Sequence, residues 1–110
     1  MATDKTGAPT TVTQATDRFS IAVDTQKVGF TEYVDRDSQR IFPHTEVADE
    51  FEGRGLATIL VNEALQATRD AGLRIVAVCP LVAAFVKKHH EFDDVVDPVD
   101  ADVKRWLANS

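Results

Sequence analysis

The chain predicts a mixed α+β domain: an antiparallel meander of three strands, then strand–helix–strand–helix with one parallel strand pair. Three observations carry this. Apolar residues alternate with a period of two across Arg18–Val47, the mark of half-buried strands. The period then changes to steps of three and four from Gly55 to Ala71, the mark of an amphipathic helix. After Gly72 the run Leu73–Cys79 is apolar apart from Arg74, as suits a buried strand.

Element by element, residues 1–16 are Thr-rich and polar and read as a flexible tail, leaving 17–110 as a single minimal domain. Arg18–Asp24 is the first predicted strand, with Phe19, Ile21 and Val23 on one face. Thr25-Gln26 turns into a second, Lys27–Asp35, with Val28, Phe30 and Val34 on one side. Arg36-Asp37-Ser38 turns again into a third, from Gln39 to Val47, where Pro43 lacks a donor and marks a bulge or an edge. In the helix, Leu56, Ile59, Leu60, Ala64, Ala67 and Ala71 form the apolar stripe, and Gly72 supplies the stop. The strand Leu73–Cys79 follows the third strand through a helix, so the two should pair in parallel with a right-handed crossover. Pro80 suits the first position of a second helix through His89, with Val82, Phe85, Val86 and His89 on one face. An acidic stretch with Asp93, Asp94, Asp97, Asp100 and Asp102 follows. A last short helix through Val103, Trp106 and Leu107 packs back on the domain.

At 110 residues and 44% hydrophobic content the chain can bury one core. No apolar run reaches the roughly 18 residues of a membrane span, and the N-terminus lacks the hydrophobic stretch of a secretory signal. The single cysteine, Cys79, excludes an internal disulfide and a cysteine metal cluster. A soluble cytoplasmic protein is the expectation, with no metal. The net charge of -6 argues against nucleic acid, whose phosphates need clustered Lys and Arg, and favours a cationic amine through its long-range field.

Glu50–Ala57, Glu-Phe-Glu-Gly-Arg-Gly-Leu-Ala, carries the most chemistry. It places two glycines at a helix start, where the first N–H groups have no partner and the aligned dipoles attract an anion. Gly53 and Gly55 would let a phosphate approach the main chain, or they simply turn the chain into its helix; both readings stay open. The turn lacks the Lys-Ser/Thr ending of a P-loop and the acidic partner of a dinucleotide fold, so a plain nucleotide site is disfavoured.

Glu52-Gly53-Arg54-Gly55-Leu56-Ala57 is similar to the Gln/Arg-x-x-Gly-x-Gly/Ala turn of the GNAT superfamily of acetyl-CoA-dependent N-acyltransferases. Val47–Phe51 resembles that family's approach to the turn, and Cys79–Lys88 its second cofactor segment. His44–Val47, Gly53–Ala57 and Cys79-Pro80 together resemble a short branch of N-acetyltransferase domain proteins. The resemblance covers about Arg18–Phe92. It implies a GNAT-like fold with a splayed parallel strand pair, acetyl-CoA (coenzyme A) as acyl donor and a small-molecule or peptide amine as acceptor. The cofactor residues it implies are Val47, Glu52, Gly53, Arg54, Gly55, Leu56, Ala57, Thr58, Pro80, Phe85, Lys87 and Lys88. It also implies an oxyanion donor in a backbone N–H near Glu46 or Val47. The departures are Glu52 in place of Gln or Arg, Val86 where a tyrosine acid often stands, and few residues after Phe92 for final strands. The hairpin between Val23 and Lys27 is also too short for the helical insertion that covers the acceptor. They keep a second reading alive, a non-catalytic coenzyme A-binding or adaptor module.

Three side chains are catalytic candidates. His44 lies near the expected carbonyl position, and imidazole works as a base near neutral pH. Alternatively it is a sheet-edge histidine. Glu46 shares its strand face by alternation and could orient the ring or deprotonate an amine through water. Cys79 would cap the second helix, where the dipole favours a thiolate, and could protonate the departing thiol or accept the acetyl group. It could equally be a small core residue. His89 and His90 follow Lys87 and Lys88 at a helix end, where cations offset the dipole.

Overall fold

The computed structural model describes residues 7–51 and 55–109. One six-stranded sheet runs in chain order: β1 Thr10–Gln14, β2 Arg18–Val23, β3 Gln26–Arg36, β4 Gln39–Val47, β5 Arg74–Ala77 and β6 Val96–Asp97. The first four pair antiparallel, and β4–β5 and β5–β6 pair parallel. Helix α1, Leu56–Asp70, connects β4 to β5; α2, Pro80–Lys88, follows β5, and α3, Ala101–Ala108, ends the chain.

The meander has one strand more than expected. Thr10–Gln14, read as part of a loose tail, is β1, in register with β2 from Thr10↔Val23 to Gln14↔Phe19. A strand needs backbone pairing more than apolar content, and β1 also has side-chain anchors. Thr10 is buried, the Tyr33 hydroxyl donates to the Ala15 carbonyl, and Gln14 Nε2 donates to that hydroxyl at 3.1 Å. The acidic stretch after Phe92 likewise holds a 3₁₀ turn, His90–Val95, and the short β6.

Phe19, Ile21 and Val23 of β2 all point into the core as expected, but Val28, Phe30 and Val34 of β3 do not share a face. The register steps from Ile21↔Gly29 to Ala22↔Lys27, so Val28 is an extra residue, a β-bulge that inverts side-chain parity. Val28, Thr31 and Tyr33 are therefore buried, while Phe30 and Val34 turn to the opposite face. A second bulge sits at Phe42-Pro43, between Glu32↔His44 and Val34↔Ile41, where Pro43 has no N–H to lose.

Helix α1 starts at Gly55, in the left-handed region at φ 79°, and ends before Gly72 at φ 76°. Its buried stripe is Leu56, Leu60, Val61, Ala64, Leu65 and Thr68, rotated from the predicted one; Ala71 is exposed and Ile59 and Ala67 half-buried. Thr68 is admitted to the core because its hydroxyl donates to the Ala64 carbonyl at 2.8 Å. This stripe packs with Val82 and Phe85 of α2 on the β2–β5 face carrying Ile21, Phe42 and Ile75. On the other face, Val103, Trp106 and Leu107 of α3 cover Ile41 and Val76.

Candidate active site

The β4–β5 pairing lasts only from Gln39↔Arg74 to Phe42↔Ala77, closing with the Cys79 N–H donated to the Phe42 carbonyl at 2.8 Å. Beyond Pro43 the strands part, and β4 runs on to Val47 paired with β3 alone. The Ala48 N–H donates to Val28 on β3 at 2.8 Å, so ladder alternation turns the Val47 N–H to the side that β5 leaves. Gly29 makes the local packing possible: a Cβ there would lie 2.9 Å from the Glu46 carbonyl oxygen and 3.1 Å from Val47 Cγ2.

Two cavities meet at this splay. A wide open cleft of about 790 Å³ reaches from Arg18, Ser20 and Phe30 on the sheet face opposite α1 to Glu46, Val47 and Asp49 at the end of β4. A groove of about 180 Å³ lies between α1 and α2, lined by Ala57, Thr58 and Val61 on one side and Ala84, Phe85, Lys88 and His89 on the other. Leu81, the second residue of α2, lines both and is 40% exposed. It stands where the two cavities adjoin.

The groove leads to the start of α1. Gly55 there makes no side-chain cap, and the first turn holds no acidic residue. The Gly55 carbonyl accepts from the Ile59 N–H at 3.2 Å, while the N–H groups of Leu56, Ala57 and Thr58 precede the first intrahelical donor. Such an end suits a phosphate oxygen.

The candidate residues divide accordingly. Ala57, Thr58, Phe85 and Lys88 share the narrow groove, and Val47 and Glu46 the wide cleft. Leu56 is buried, Pro80 heads α2, and Lys87 is exposed in its last turn. Glu52, Gly53 and Arg54 lie outside the described residues. His44 and Glu46 do share a face, with Nε2 and Oε1 3.2 Å apart and both side chains at least half exposed. The His44 ring also tilts against Phe30 at a centroid distance of 6.0 Å.

Cys79 is the residue preceding α2, in extended conformation, with its carbonyl accepting from the Ala83 N–H at 2.9 Å. Its side chain is 4% exposed, packs within the main core and lines neither cavity. Of the two histidines after the lysines, His89 caps α2 and stacks on Phe85 at 4.3 Å, while His90 pairs with Asp93 at 3.0 Å. Leu81, Gly29, Phe30 and Arg18 are site residues that the sequence reading passes over. Only its place off the apolar face of Val82, Phe85, Val86 and His89 could have signalled the first.

The model of the GCN5-related N-acetyl-transferase family matches residues 18–95, which span β2 to the 3₁₀ turn before β6. The chain belongs to this family. An N-acetyltransferase domain accounts for the splayed parallel pair and for the glycine at the start of α1. The fold is also that of a GCN5-like N-acetyltransferase candidate from Staphylococcus aureus, solved by NMR. That likeness has a TM-score of 0.64 and 22% identity, over 83% of this chain and 91% of the other. A more distant likeness, to an aminoglycoside acetyltransferase from an uncultured soil metagenomic sample solved with sisomicin, has a TM-score of 0.47 and 10% identity. It covers 87% of this chain and 55% of that one. No curated protein sequence matches at a significant level. Among the described residues no helix is long and apolar enough to cross a membrane.

Proposed function

We propose that this domain transfers an acetyl group from acetyl-CoA to a primary amine. The observation that carries the reading is the path from the glycine-started end of α1, along the α1–α2 groove, past Leu81 and into the cleft beside Val47. Acetyl-CoA would supply the activated acyl group as a thioester. The α1 N–H groups and Lys88 would hold its phosphates, and Ala57, Thr58 and Phe85 would line its chain. The Val47 N–H would steady the charge that develops on the thioester oxygen. Glu46 and His44 would take the proton released as the amine nitrogen bonds to the acyl carbon. Cys79 is buried and lines neither cavity, so the departing sulfur would take its proton from solvent in the open cleft as the carbon–sulfur bond breaks. Protons and charge then balance across the transfer.

A second reading, a coenzyme A-binding module without turnover, is favoured by one observation, the burial of Cys79 at 4% exposure. Two measurements separate them. Acetyl-CoA should raise the unfolding temperature by binding the native state alone. Gly55→Glu should abolish that rise by setting a bulky anion, in a left-handed backbone, where phosphates need open N–H groups. Equal rises in both proteins would remove the helix start from the site, and an equal rise with ATP would favour a plain nucleotide binder. An acetyltransferase should then release free thiol from acetyl-CoA in proportion to added amine, whereas a binding module should not.

A further inference from the structure

The wide cleft carries charge of both signs, ordered across the strands. Arg18 stands on β2, Phe30 on β3 and Glu46 on β4, all on the sheet face opposite α1, with Phe30 directly across from Glu46. Neighbouring strands lie about 4.8 Å apart, so the β2 and β4 side chains are rooted roughly 10 Å from each other with one ring between them. The Arg18 guanidinium lies over that ring, 4.3 Å from its centroid. Among the described residues its carboxylate neighbours are Asp17, at 3.8 Å and with a side chain 68% exposed, too long and too wet a contact to occupy its donors, and Glu32, its cross-strand partner on β3, which makes no ion pair with it. Lys27 adds a second cation to the lining, and Asp49 extends the acidic end beyond Glu46.

A plain alkylamine would use only the acidic end of this cleft, and a plain anion only the basic end. We propose that the acceptor is a small amphoteric amine. It is a primary amine joined through a few carbon or peptide atoms to a carboxylate, with the anion held by Arg18 and Lys27 and the amine laid across Phe30 to Glu46 and Val47. The ligand class follows from the cleft itself; its role as acceptor rests on the acyl-transfer reading. Arg18 is then a specificity-determining residue, since its planar fork matches a carboxylate.

Binding can be read without turnover, from backbone amide shifts of the full chain titrated with γ-aminobutyrate, glycylglycine, n-butylamine, butyrate and putrescine. The two amphoteric probes should move the amides of Gly29, Phe30 and Val47 at concentrations at least tenfold below those needed for butylamine or butyrate. Arg18→Glu should erase that advantage and turn the preference to putrescine. Arg18→Gln, which keeps much of the stem over Phe30 and adds no negative charge, should erase it without creating a diamine preference. Equal binding of butylamine and γ-aminobutyrate, or an unchanged ratio in both folded variants, would overturn the proposal. Thiol release from acetyl-CoA is assayed on the same panel. If amphoteric binding persists with no release for any probe, the ligand class is supported and the acyl-transfer reading is what fails.

Discussion

Replacing Gly29 by alanine tests whether the end of β4 is held in place by close backbone packing. In an ordinary strand the change should help, because glycine in a strand interior costs roughly 0.5–1 kcal/mol relative to alanine. Here the new methyl would meet the Glu46 carbonyl oxygen at 2.9 Å, Val47 Cγ2 at 3.1 Å and Ile21 Cγ2 at 3.3 Å. The first neighbour is main chain and cannot rotate away, so β3 and β4 must shift apart. Overpacking of this kind costs about 1–3 kcal/mol. Offset by the usual gain, the net loss is about 0.5–2 kcal/mol, and each kcal/mol lowers Tm by roughly 4–8 °C in a domain of this size. Urea unfolding gives the stability directly. The same shift displaces the Val47 N–H, so amine-dependent thiol release should fall further than native-state loss explains, at a temperature well below the lowered Tm. A Gly29→Ala protein as stable as the parent, with unchanged turnover, would refute the packing argument and the role given to Val47.

Three other outcomes follow from particular contacts. Arg40 is 6% exposed, and its Nε and NH2 donate to the two Asp35 oxygens at 2.7 and 3.0 Å; that pairing outweighs desolvation and raises the guanidinium pKa. Asp35→Ala should therefore lose ~1–3 kcal/mol in denaturant titration, and adding Arg40→Met should recover part of it by removing the stranded cation. Asp97 accepts from Gln39 Nε2 at 2.9 Å and from Arg74 Nε at 2.6 Å, and these hydrogen bonds, Gln39 first, hold its pKa below the usual aspartate value. Its contribution is complete above the unfolded-state pKa of about 3.9 and fades as pH falls through the lower folded value, so Asp97→Asn should flatten the acid limb of the stability curve below about pH 5. Cys79→Ala should leave both acetyl-CoA affinity and turnover within a few-fold of the parent, because the buried thiol lines neither cavity; a loss of about 10²-fold, or an acetyl adduct by intact mass, would instead put the thiol in the reaction.

Where local chemistry decides, residue types were enough. Gly55 and Gly72 bracket α1 because both ends need a left-handed backbone, and Pro80 heads α2 because its missing N–H costs nothing there. Pro43 marked a bulge for the same reason. Non-local pairing was not legible. Strand β1 is polar enough to pass for a tail, since its partner is the edge of β2 and its side-chain anchor, Tyr33, lies far along the chain. At the site, the α1 start and the His44–Glu46 pair could be read from spacing, whereas Leu81 and Arg18 owe their positions to elements that meet only in the fold.

The Val28 bulge links those two failures. Without it, strict alternation would carry Phe30 and Val34 into the core beside Val28, and Thr31 and Tyr33 would turn outward. The extra residue exchanges the faces: Thr31 enters the core, where its hydroxyl meets that of Thr45 at 2.8 Å, and Phe30 comes out beneath Arg18 and His44. The second bulge, at Phe42-Pro43, makes the matching exchange on β4, sending Phe42 inward and His44 and Glu46 outward. The second bulge lies where β4 leaves β5, and the first faces the far end of β4 at Val47. A sheet that spent no extra residue there would bury the ring that floors the cleft, and the splay would open onto packed side chains rather than onto Glu46 and the Val47 N–H.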